Sequence, residues 1–107
     1  MLKRVLFCFL LFISTSPLFA ADLVINEFMA NNDATIQDED GDFEDWIEIY
    51  NNAPTNINLN GWHLTDDDGA LTQWTFPNVT INAGQTLLVF ASSKNRVNPA
   101  SELHTNF

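Results

Sequence analysis

Beyond its first twenty residues the chain has no cysteine; the single Cys8 sits inside an N-terminal apolar run. A disulfide framework is therefore excluded, and a fold has to rest on an apolar core or a bound ion. Positive charge is almost as scarce. Lys3 and Arg4 precede the apolar run, and only Lys94 and Arg96 follow it. Two basic residues against fourteen Asp and Glu leave a net charge of −12 after residue 20. So acidic a surface repels phosphate backbones and anionic lipid, which argues against nucleic-acid and membrane-surface partners. No apolar run is long enough to span a bilayer comfortably. No segment keeps a 3.6-residue period over a helical length. The chain also lacks a G-x-S-x-G elbow, an H-x-x-x-H pair and a cysteine cluster, and its two histidines, His63 and His104, lie far apart. The usual signatures of nucleophilic and zinc chemistry are thus missing, and the chain is not expected to be an enzyme.

What is present begins with an address. Lys3 and Arg4 are followed by apolar Val5–Ile13, then by Pro17 and the small Ala20 and Ala21. Residues 1–20 read as a secretory signal peptide, cleaved after Ala20 or Ala21. The mature chain, 22–107, is expected to be secreted: extracellular, at the cell surface or periplasmic, with no membrane span once the leader is removed. It makes one small domain.

The remaining pattern is β. Leu23–Ala30 is rich in branched and aromatic residues. In Asp45–Asn51, Trp46, Glu48 and Tyr50 alternate with Ile47 and Ile49. Ile57 and Leu59 alternate with asparagines until Gly61, where the phase resets and Trp62 and Leu64 take the apolar face; a glycine there predicts a bulge or tight bend. Short strands follow at Gln73–Pro77 and Val79–Ile81, then a nearly continuous apolar strand at Thr86–Ser92, as suits a strand covered on both sides. Residues 92–104 read as polar loop with room for one helical turn before Pro99. Strands about ten residues apart, separated by Asn, Asp, Gly and Pro, predict an antiparallel sandwich or barrel.

Four of these segments in this order, "VINEFMANND", "DEDGDFEDWIEIYN", "INLNGWHLTDD" and "WTFPNVTINAGQTLLVFAS", resemble the lamin tail domain family, in particular its exported bacterial branch. The resemblance covers essentially residues 23–107. It implies an all-β, immunoglobulin-like antiparallel sandwich. Family members usually continue with one or two further apolar strands after the equivalent of His104–Phe107, so the domain is expected to lack its last strand or strands and to present an open edge. The resemblance also implies a non-catalytic interaction, adhesion or tethering module, binding a protein partner or further domains of the same polypeptide. The alternatives are an accessory N-terminal domain of a larger secreted enzyme, of hydrolase or nuclease type, and a calcium-stabilised structural module.

One stretch invites a site. Asp38–Asp45 holds six carboxylates in eight positions. They lie within one Debye length of roughly 8 Å at physiological salt and destabilise an ordered loop unless a cation joins them. Asp38, Asp40, Asp42, Glu44 and Asp45 offer the hard oxygens that calcium takes, with Gly41 allowing a tight turn. The spacing is not that of an EF-hand. A solvated acidic loop is the simpler alternative. Thr65–Gly69 reads as an Asp-Gly hairpin turn. Glu27 and Glu48 fall inside strands, where each is either solvated or paired, with Lys94 and Arg96 the candidate partners. Trp46, Trp62 and Trp74, one per strand, read as core in preference to a carbohydrate platform.

Overall fold

The computed structural model describes residues 9–11 and 22–107. The expected leader therefore lies mostly outside the described residues. Its described part, β1 (Phe9–Leu11), is a short strand. It is followed by β2 (Leu23–Met29), β3 (Asp45–Asn51), β4 (Ile57–Asn58), β5 (His63–Thr65), β6 (Trp74–Thr75), β7 (Thr80–Ile81), β8 (Thr86–Ala91) and β9 (Leu103–His104). Among the described residues there is no helix; residues 92–102, where one turn was expected, form a loop bridged by Arg96 and His104.

The main sheet has the order β2-β3-β8-β9. Its pairs are antiparallel except for β8 and β9, which run parallel. Opposite stand the small sheets β1-β5-β6 and β4-β7. The core lies between these layers. Ile47, Ile49 and Val89 from the main sheet meet Leu59, Leu64, Trp74, Phe76 and Ile81 from the other side. Ile47, Ile49, Leu59, Leu64 and Val89 are completely buried, and each such side chain contributes about 1.5–3 kcal/mol. The ring of Trp74 meets that of Phe76 edge-on at 4.8 Å.

The period-2 pattern decides the layers. Ile47 and Ile49 take the core face of β3. Trp46 points the other way, yet is also buried. It stands opposite Phe90, and Phe90 stacks on His104 at 5.2 Å. Trp46, Phe90 and His104 thus form a second apolar row on the outer face, so β8 is covered on both sides at Val89–Phe90. Trp46 and Trp74 are core, and Trp62 packs half-buried against it. Gly61 has φ +86°, in the turn where the Trp62 amide donates to the Leu59 carbonyl. That backbone is costly for residues with a Cβ, which explains the phase reset.

A bulge interrupts β2 between Ile25 and Glu27. The extra residue changes the phase, so both Leu23 and Ile25 before it and Phe28 after it stand opposite core-facing residues of β3. Phe28 pairs with fully buried Ile47 but is itself 43% exposed. The sandwich is therefore open along the β2 edge.

Candidate functional site

The acidic loop covers the outer row. It is built around the Asp38 side chain, whose Oδ1 accepts the amides of Asp40 and Asp42, each at 3.0 Å. The Asp38 amide donates to the Asp42 carbonyl, and the Gly41 amide returns to the Asp38 carbonyl. Gly41, at φ +83°, closes the turn. A second asparagine-centred network anchors the loop's flanks. The Asn32 side-chain amide donates to the carbonyls of Ile36 and Glu44, while the Asn32 backbone amide donates to Asp45 Oδ1 at 3.1 Å.

The loop finds its cation within the chain. Ser93 and Asn95 take positive φ. The bend they make brings Lys94 over the loop, where its ammonium donates to Asp38 Oδ2, to Asp40 Oδ2 at 2.9 Å and to Asp42 Oδ2 at 2.9 Å. Arg96 donates to Glu39 Oε1 and Asp40 Oδ2, both at 2.7 Å. Burial pushes the Asp38 carboxyl up, but Lys94 and the two backbone amides outweigh it and hold its pKa below the ordinary value. Arg96, then Lys94, lower that of Asp40 to about 2. Burial pulls Lys94 down, and its three carboxylate partners more than reverse this. Arg96 is raised by Asp40 and Glu39.

The five residues singled out from the sequence separate here. Asp38, Asp42 and Glu44 can each offer an oxygen within 4.8 Å of the others. A calcium ion there would share the Asp38 and Asp42 carboxylates with Lys94. Asp40 turns to the two basic side chains. Asp45 begins β3 and serves as a buried acceptor for Asn32. Of the two readings of Glu27 and Glu48, the pairing with Lys94 or Arg96 does not occur among the described residues. Three clustered carboxylates attract Lys94 more strongly than one strand glutamate. Glu27 is exposed, and Glu48 accepts the Asn26 side-chain amide at 2.7 Å. Thr65–Gly69 forms a turn in which the Gly69 amide donates to Asp67 Oδ1.

Sequence reasoning passed over the other side of the loop. Glu39, Glu102 and His104 also converge to within 4.8 Å. His104 is completely buried, and burial lowers its pKa. The signal was available: Glu102 and His104 are two apart on an extended segment, so both project to the same side.

Two facing β layers, without a helix among the described residues and topped by a charged loop, define an all-β, immunoglobulin-like sandwich. The chain belongs to the family described as Lamin Tail Domain, whose model matches residues 19–107. No curated protein and no solved structure matches it significantly. Among the described residues no helix is long and apolar enough to cross a membrane.

Proposed function

We propose that the chain is a non-catalytic, exported interaction module that tethers a protein partner, or a further domain of its own polypeptide, through the β2 edge. The observation that carries this reading is Phe28. It stands on the core-facing side of an edge strand, beside fully buried Ile47, yet nearly half of its surface is uncovered. Val24 on the same strand is 36% exposed. Within the main sheet β2 is hydrogen-bonded on one side only, to β3. Such an edge accepts an extended segment by strand addition, with backbone bonds giving affinity and side-chain pockets giving choice. Exposed Glu27 lies beside Phe28, and the chain is strongly acidic, so the complementary segment is extended, apolar at one position and basic around it.

The test is retention on the envelope fraction of an exporting host. Phe28→Asp places a charge where the partner's apolar residue docks and should abolish retention while leaving the melting temperature near that of the parent. Leu71→Asp, at an exposed position in the loop between β5 and β6, should retain binding. Equal retention of the two variants would refute the β2 assignment.

A further inference from the structure

We propose that Glu39, Glu102 and His104 form a binding site for one divalent transition-metal ion of the Zn2+ type. β9 runs parallel to β8 and sets the His104 ring against Phe90 at 5.2 Å, with the planes 21° apart. The ring is fully buried. Its Nδ1 lies 2.8 Å from Ser92 Oγ. Its Nε2 is buried without a hydrogen-bond partner and points between two carboxylates, 3.8 Å from Glu39 Oε1 and 3.9 Å from Glu102 Oε2. A buried imidazole nitrogen left unpaired is costly, and these separations are too long for hydrogen bonds. An ion between the three groups would draw them closer: zinc–nitrogen and zinc–oxygen bonds of about 2.1 Å at a tetrahedral angle hold nitrogen and oxygen roughly 3.4 Å apart.

The carboxylates and the ring are already oriented. The Glu39 amide donates to Glu102 Oε2 at 2.6 Å, Arg96 holds Glu39 Oε1 at 2.7 Å, and Ser92 fixes the far nitrogen of His104. In the tautomer with the proton on Nδ1, that nitrogen donates to Ser92 and the Nε2 lone pair faces the carboxylates, the arrangement in which an outer partner sets the ligating tautomer. Two carboxylate charges neutralise the dication. An imidazole with two carboxylates favours zinc and its neighbours over calcium and magnesium, which take oxygen throughout. Glu39 and Glu102 are only partly buried, at 35% and 40% side-chain exposure, so the remaining coordination positions face solvent. An ion here would tie the acidic loop to β9, elements far apart in the chain.

The test is titration of Zn2+ into the chelator-stripped chain by calorimetry, with Co2+ as a spectroscopic reporter. One equivalent should bind, the Co2+ visible bands should be those of a nitrogen–oxygen site, and the His104 Nε2 resonance should shift. Glu102→Gln and Glu39→Gln, both partly exposed and compatible with folding, should each weaken binding at least tenfold. Asp68→Asn, at an exposed carboxylate of the 65–69 turn outside both acidic clusters, should leave it unchanged. Binding that is equal in Glu102→Gln and the parent, or weakened as much by Asp68→Asn, or accompanied by no change at His104, would overturn the assignment.

Discussion

Replacing Lys94 by methionine keeps most of the side chain's apolar stem and deletes its charge, so it isolates what the ammonium does for the loop. The three carboxylates it serves are not equivalent. Asp38 has no exposed side-chain surface, whereas Asp40 and Asp42 are 40% and 58% exposed. Exposed pairs contribute little. Stripping a partner from a buried charge costs roughly 3–5 kcal/mol. Asp38 keeps two backbone donors on Oδ1, so the low end applies, about 3 kcal/mol. For a domain of this size that lowers the melting temperature by about 12–24 °C. Adding Asp38→Asn to Lys94→Met removes the stranded charge and should recover most of the loss. The assay is thermal unfolding by circular dichroism in EDTA. A Lys94→Met melt equal to the parent's, or a double variant no more stable than the single one, would refute the claim that Lys94 neutralises a buried carboxylate.

Calcium at millimolar concentration should raise the melting temperature of Lys94→Met more than that of the parent, because the ion and the ammonium compete for the carboxylates of Asp38 and Asp42; equal increments would place any calcium elsewhere. Acid should destabilise the fold in a defined window. Asp38 and Asp40 titrate below the ordinary 3.8 in the folded chain, with Asp40 at about 2, so the stability they add is present above pH 4 and is lost as pH falls toward 2. A pH series of melts should show this drop, flattened in Asp40→Asn. Asn51→Ala removes a buried side chain that donates to the carbonyls of Thr55 and Ile81 and accepts the Ala53 amide. Leaving those groups unpaired should cost about 2–4 kcal/mol in urea unfolding, and a cost below 1 kcal/mol would show that the 52–56 turn rearranges freely.

The parts of the fold that were legible in the sequence are those governed by local period. Ile47 and Ile49 alternate at the spacing of one strand face, and both are buried. Gly61 marks the turn at which the apolar phase resets. What could not be read is what depends on long-range register. Lys94 lies 56 residues from Asp38 in sequence, and nothing local joins them. Once β3 pairs with β8, the segments flanking those two strands meet, and the loop before β3 receives the lysine after β8. For this reason the sequence left Glu27 and Glu48 open between solvation and pairing with Lys94 or Arg96: charges can be counted without knowing which loops the sheet brings together. Trp46, read as core, is buried, but on the face opposite Ile47, where only its pairing with Phe90 beside His104 shows what it packs with. Glu102 and His104 were a different case, since their two-residue spacing was visible and only the buried, unpaired nitrogen gave it meaning.

The most direct test of the account is photocrosslinking from a benzoyl-phenylalanine placed at position 28 in the exporting host, with the same probe at position 71 as control. The account predicts one discrete adduct from position 28, with the crosslinked residue in an extended, basic segment, and none from position 71. Absence of any adduct at position 28, or the same adducts from both positions, would contradict the reading of the β2 edge as the interaction surface.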